Sequence, residues 1–284
     1  MSTLTKSIEF LEPIITKWKF NEKPLVISIS GPQGSGKSYL SSKLAIHLTR
    51  SYPTLNSITI STDDLYLRNK DQRQLTKDHP GTKLLNGRGL PGTHDVELGY
   101  NLISKIVNKE SGFKIPTYNK AAFNGEGDRN DEDQWQNIKT PIDILIVEGW
   151  FNGFLPFENS DDVEEIINSS KLLSNFPKDD IFEINSFLDE YVKIWNFFDV
   201  DIFFDTEDIN NVFEWRIQQE HELIEQKGSG MTDQQVRDFI SRYMAVYKLY
   251  YRDFTLKGTP STPKGYNLKI KLDSKRVIEN VEIF

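Results

Sequence analysis

The sequence predicts an α/β fold in which a mostly parallel, doubly wound sheet carries helices on both faces. Two observations predict it. Short apolar runs alternate with longer stretches of helical periodicity, the pattern of strands joined by crossover helices. The run Ile142-Asp-Ile-Leu-Ile-Val147 is nearly continuous in apolar residues, as a strand covered on both faces must be.

The elements follow in order. Leu4, Ile8, Leu11, Ile15 and Trp18 recur at helical spacing, which gives an amphipathic N-terminal helix at about 3–20 packing on the core. Pro24 to Ser30 reads as the first strand, followed by a glycine-rich turn and a helix from about Lys37 to Arg50. Ser57 to Ser61 is the second strand, and a polar loop rich in Gly, Asp and Lys runs over 66–94. Asp95 caps a helix carrying Val96, Leu98, Leu102, Ile103 and Ile106. Phe113 to Thr117 is a short strand, and 124–134 a charged loop. After the central apolar strand comes an acidic insertion at about 152–180, then a helix at 184–197 and a strand at Val200 to Phe204. Two helices follow at about 210–226 and 233–251, joined by Lys227-Gly-Ser-Gly-Met231, and a last strand, Asn267 to Leu272, is placed at the sheet edge. Neither an internal repeat nor a domain linker is visible, so 1–284 reads as one domain.

Bulk composition narrows the partners. Hydrophobic residues at 37% and charged residues at 27% describe an ordinary folded chain. A formal net charge of -8 argues against a nucleic-acid partner, which needs a basic face. The absence of cysteine excludes disulfides and thiolate metal sites. No apolar run is long enough to span a membrane. The N-terminal segment, with Glu9 and Glu12, reads as neither a signal nor a transit peptide. The expected compartment is the cytoplasm, with the nucleus open as a second one, and oligomeric state is left open.

Gly31-Pro-Gln-Gly-Ser-Gly-Lys-Ser38 fits G-x-x-x-x-G-K-[ST] between a predicted strand and a predicted helix. Glycines let backbone N–H groups converge on phosphates, and the following helix points its positive end at the same charge. Gly31, Pro32, Gln33, Gly34, Ser35, Gly36, Lys37 and Ser38 are therefore the candidate nucleotide-binding residues, with ATP and Mg2+ as the expected cofactors. Lys37 would neutralise the β- and γ-phosphates, and the Ser38 hydroxyl would meet the metal.

In a doubly wound sheet, ligands gather at the carboxyl ends of strands. Asp63-Asp64-Leu-Tyr66 follows the second strand, and Glu148 follows the apolar strand. Asp63 is the candidate base and Glu148 the candidate metal residue, directly or through water. The competing reading is that Asp63 or Asp64 caps a turn, and which of the two is the base stays open.

Other residues carry two readings each. Arg88, within Asn86-Gly-Arg-Gly-Leu-Pro-Gly92, offers a planar fork for a carboxylate or phosphate, or is a solvated loop residue. His94 touches the acceptor or is a structural residue ahead of the Asp95 cap. Arg216 is a lid cation or an exposed ion-pair partner. Arg237 and Arg242 read as surface or helix-pair contacts, and the tyrosines from Tyr243 to Tyr251 as helix packing rather than a stacking platform.

With these elements in place, the chain resembles the phosphoribulokinase/uridine kinase group of P-loop kinases, nearest its glycerate kinase branch, including fungal glycerate-kinase-like proteins. The carrying segments are the phosphate loop, Ser61-Thr-Asp-Asp-Leu-Tyr66, Arg88-Gly-Leu-Pro-Gly-Thr-His-Asp95, Ile115-Pro-Thr-Tyr-Asn-Lys120, Val147-Glu-Gly-Trp150 and Gly230 through Met244, in order over most of the chain. The resemblance implies a P-loop kinase fold with a helical lid at about 210–251. It implies ATP-dependent phosphorylation of a hydroxyl on a small metabolite, with D-glycerate or a similar hydroxy acid leading and a nucleoside behind. Asp63 matches the family's base. Asp64, Tyr66, Arg88 and His94 fall in segments that would hold the acceptor, and Arg216, with Lys227, would close over the phosphates. The acidic insertion departs from the pattern and is expected beside the acceptor mouth. A nucleotide-dependent switch is the alternative of another class. A GTPase version of it is disfavoured, because Asn119-Lys-Ala-Ala122 lacks the Asp that reads guanine.

Overall fold

A computed structural model describes residues 1–228 and 230–284, apart from the side chains of Gln226 and Lys227. Helix α1 (Thr3–Lys17) precedes β1 (Leu25–Ser30), α2 (Lys37–Ser51) and β2 (Ser57–Ser61). Helices α3 (Asn69–Asp78) and α4 (Val96–Val107) lead to the short strands β3 (Phe113–Ile115), β4 (Tyr118–Asn119), β5 (Asp128–Arg129) and β6 (Gln136–Ile138). Then come β7 (Ile144–Gly149), α5 (Ser160–Ser169), α6 (Lys178–Trp195) and β8 (Val200–Thr206). The chain continues with α7 (Asn211–Lys227), α8 (Asp233–Val246), a π-helical turn (Tyr247–Tyr251), α9 (Arg252–Lys257), β9 (Asn267–Leu272) and β10 (Ile278–Ile283).

The main sheet runs β10-β9-β8-β1-β7-β2. All its pairings are parallel except β9 with β10, which form an antiparallel hairpin at one edge. Its two faces explain the apolar runs. Val26, Leu145, Val147 and Phe203 enter the core under α4, α6 and α8. The alternate residues Leu25, Ile27, Ile29, Ile144, Ile146 and Phe204 enter a second core with Phe10, Leu11 and Ile15 of α1 and Leu40, Leu44 and Leu48 of α2. Both faces are covered, so period-2 alternation of apolar and polar residues vanishes from the inner strands. Asp95 caps α4 as expected, its Oδ1 accepting from the Leu98 N–H at 3.0 Å.

Several expectations need correction. The 66–94 segment is not all loop: it contains α3, whose sequence Asn-Lys-Asp-Gln-Arg-Gln-Leu-Thr-Lys-Asp has one apolar residue and hence no periodicity to read. Strand β9 lies inside the sheet, because β10 closes the edge beyond it. Strand β3 ends at Ile115 and pairs with β6 outside the main sheet, and the 124–134 loop contributes β5, which pairs with β4. The 233–251 helix becomes α8 followed by the π turn and α9. The acidic insertion is partly core: Val163 and Ile167 of α5, with Leu173, are buried.

Candidate active site

The site lies at the carboxyl edge of the sheet, where β1, β2 and β7 end side by side. The register sets Ile29 and Ser61 opposite Glu148, and Ser30 opposite Gly149, so the phosphate loop, the segment after β2 and the end of β7 emerge together. A cleft of about 350 Å³ opens there.

The phosphate loop is built by its glycines. Gly34 has φ +78°, and an added Cβ would stand 2.6 Å from the Trp215 Cβ of α7, so no side chain fits. Gly36, at φ +99°, borders open space immediately before α2 begins at Lys37. Of the eight loop residues, Gln33, Gly34, Lys37 and Ser38 line the cleft, while Ser35 is buried. Lys37 is buried and donates from Nζ to the Pro32 carbonyl at 3.1 Å. Burial lowers its pKa, against the pull of Glu148 and Asp63.

The Ser38 hydroxyl lies 3.2 Å from each carboxylate oxygen of Glu148. A hydroxyl and a carboxylate at this distance are hard oxygen donors of the kind Mg2+ takes in phosphoryl-transfer sites, where phosphates and water complete the shell. Among the described residues no cluster of three or more His, Cys, Asp or Glu forms a closed metal cage.

Asp63 lies in the 3-10 turn after β2, and its carboxylate is engaged on both oxygens. Oδ1 accepts from the Tyr66 hydroxyl at 2.8 Å, and Oδ2 from Lys120 Nζ at 2.5 Å. Burial pushes its pKa up, but the charge and hydrogen bond of Lys120, with the Tyr66 bond, outweigh it and hold the group below the ordinary carboxylate value. Asp63 is therefore ionised.

Tyr66, Arg88 and Arg216 also line the cleft. Arg216 pairs with Glu220 one turn along α7, at 2.9 Å. Arg88 spends its Nη1 on the carbonyls of Gly125, at 2.6 Å, and Glu126, and its Nη2 reaches the Lys120 carbonyl at 3.4 Å. It tethers the loop that presents Lys120. The Lys227 side chain lies outside the described residues.

Two expected acceptor residues do not reach the cleft. Asp64 turns to accept the Tyr118 N–H at 3.2 Å, anchoring β4, and burial raises its pKa. His94 is buried behind Tyr66, with ring centroids 4.5 Å apart, and its Nδ1 lies 2.8 Å from the Tyr191 hydroxyl. Burial lowers its pKa to about 4, which keeps it neutral. The 152–180 segment contributes no lining residue, because its helices are drawn onto the apolar core instead of the mouth.

The cleft also contains residues that sequence reasoning did not assign to the site: Lys120, Trp150, Gln219, Phe239 and Tyr243. Lys120 stood in the Ile115–Lys120 segment, and its pairing with Asp63 was the missing signal. Packing is the right reading for the buried Tyr247, Tyr250 and Tyr251, but Tyr243 both packs on Trp150, at 5.0 Å, and borders the cleft. Arg242 is no surface residue: its Nη2 holds the carbonyls of Leu84 and Gly87 at 2.9 Å, fixing the segment that leads to Arg88. Behind the phosphate loop, Arg276 at the β9–β10 turn donates from Nε to the Gly34 carbonyl at 2.6 Å and from Nη1 to Gln218 of α7 at 2.8 Å.

A parallel sheet with a glycine-rich phosphate loop after its first strand, and acidic side chains from two neighbouring strands beside it, defines a P-loop kinase. No family model matches the chain. Over 97% of its length the chain is 43% identical to the probable ATP-dependent kinase TDA10 of Saccharomyces cerevisiae, of which it covers 94%. It is 33% identical to the chloroplastic D-glycerate 3-kinase of Arabidopsis thaliana over 89% of its own length and 53% of that longer protein. Among solved structures, D-glycerate 3-kinase from Cryptococcus neoformans var. grubii superposes on the whole chain with a TM-score of 0.89 and 33% identity, itself covered in full. The chain belongs to this family of ATP-dependent kinases. Among the described residues, no helix is long and apolar enough to cross a membrane.

Proposed function

We propose that the protein transfers the γ-phosphate of ATP to a hydroxyl of D-glycerate or a closely similar hydroxy acid, with Mg2+ as the metal. The observation that carries the reading is the pairing of Asp63 with Lys120 inside the cleft that also contains Lys37 and Ser38. It puts an ionised base and a cation suited to a small acid next to the phosphate loop. Relatives named D-glycerate 3-kinase, one of them matched over its full length, support the same acceptor.

The phosphate-loop amides and Lys37 hold the triphosphate, and Ser38 with Glu148 would hold the metal, which would supply charge neutralisation for the transfer. Asp63 takes the proton of the acceptor hydroxyl as its oxygen attacks the γ-phosphorus, and ADP leaves with the electrons of the broken bond. Tyr66 orients Asp63. Helices α7 and α8 act as the lid, with Arg216 the cation that closes on the phosphates and excludes water. The whole chain serves as one catalytic domain.

The test is mass spectrometry of products formed from ATP with D-glycerate, related hydroxy acids, uridine and other nucleosides. A single phosphoryl addition to D-glycerate, with one ADP per product, is expected. Tight ATP binding with no product across the panel would overturn the reading in favour of a nucleotide-dependent switch.

A further inference from the structure

Four cations line the cleft among the described residues: Lys37, Arg88, Lys120 and Arg216. Three have partners of their own. Lys37 belongs to the phosphate loop, Arg216 is paired with Glu220, and Arg88 donates to backbone carbonyls. Lys120 differs, because its partner is the base itself. Its side chain is 58% exposed, so the ammonium can change partners by rotation of its own bonds.

That ion pair is at odds with catalysis. A carboxylate with one oxygen on a hydroxyl donor and the other on an ammonium keeps a free lone pair on each oxygen, but both oxygens already have a donor that competes with an acceptor hydroxyl. The same two donors lower its affinity for that proton. Opening the pair makes Asp63 the better base, and an anion that takes the ammonium would open it. A carboxylate on the acceptor is such a group.

We propose that Lys120 is a specificity-determining residue that keeps Asp63 idle until the carboxylate of an acidic acceptor replaces Asp63 as its partner. The inference rests on the hydroxy-acid reading above. When the acid binds, its carboxylate accepts from the Lys120 ammonium and Asp63 Oδ2 is released. The freed oxygen faces the acceptor hydroxyl without a competing donor, and its proton affinity rises as the cation leaves. The hydroxyl proton passes to Asp63, the hydroxyl oxygen bonds to the γ-phosphorus, and the bond from that phosphorus to the β-bridging oxygen breaks to give ADP. A neutral polyol offers Lys120 hydroxyl acceptors but no charge to compete with the carboxylate, so Asp63 stays paired and transfer is slow. Arg88 serves this exchange as a positioning residue, since it fixes the backbone of residues 120–126 from which Lys120 reaches.

D-glycerate and glycerol test the idea directly, because they differ in a carboxylate against a hydroxymethyl group. The wild-type protein is expected to prefer D-glycerate strongly in kcat/KM. In Lys120→Met the D-glycerate value should fall roughly 100-fold, as expected when a charge-assisted hydrogen bond to the acceptor is removed. The glycerol value should hold or rise, because Asp63 is unmasked, so the preference collapses. Lys120→Arg should keep it. Unchanged ATP affinity by calorimetry verifies that the Met variant is folded. If Lys120→Met retains the wild-type preference, or loses both acceptors equally, this proposal falls and the acceptor reading stands. A wild-type protein inactive on D-glycerate ends both.

Discussion

The two ends of the cleft are built by different means. The nucleotide end is one contiguous stretch, 31–38, shaped by backbone and glycine and fixed from behind by Trp215 and Arg276. The end proposed for the acceptor is assembled from Asp63 and Tyr66, Arg88, Lys120, and Tyr243 on α8, which come from four separate parts of the chain. Backbone amides cannot titrate or swing, and Lys37 is buried and tied to the Pro32 carbonyl, so the first end is preset. Side chains joined by ion pairs can exchange partners, so the second end can respond to what enters it.

The largest test of that contrast is Asp63→Asn, which leaves the phosphate loop intact and removes the proposed base. Steady-state kinetics should show kcat reduced by roughly 10²–10⁴-fold with KM for ATP little changed. A variant that turns over normally would move Asp63 out of the chemistry. Lys37→Ala attacks the other end and should lower kcat/KM for ATP on the order of 10²–10³-fold, read together with abolished ATP binding in calorimetry.

His94 sharpens the comparison through pH. Its folded pKa of about 4 lies below the ordinary value of 6.5, so the unfolded chain binds more protons between those values. Stability is therefore full above pH ~6.5 and declines as pH falls toward ~4, by up to about 3 kcal/mol. Denaturant melts of His94→Phe should show that acid limb flattened, with the D-glycerate KM unchanged at neutral pH. Smallest is Gly34→Ala, which forces a Cβ against Trp215 at positive φ and should cost about 1–3 kcal/mol in a denaturant midpoint.

The same contrast explains what the sequence shows on inspection. The phosphate loop was legible because its signal is local, eight residues between a strand and a helix. The inner strands were legible because burial on both faces writes itself as a continuous apolar run in Leu25–Ser30 and Ile144–Gly149. Asp63 and Glu148 were found by their place at strand ends. Asp64 and His94 share the segments of true cleft residues yet turn away, and one residue's step along the chain gives no sign of it. Lys120 was hidden for the opposite reason: its meaning lies in a partner 57 positions away. Helix α3 and strand β10 escaped because neither carries an apolar period strong enough to see.

The Arg276 hydrogen bond to Gly34 joins positions 242 residues apart. A ribosome that has made Gly34 must add 242 more residues before the brace for that motif exists. The nucleotide pocket therefore depends on a contact that cannot form while the loop alone is available.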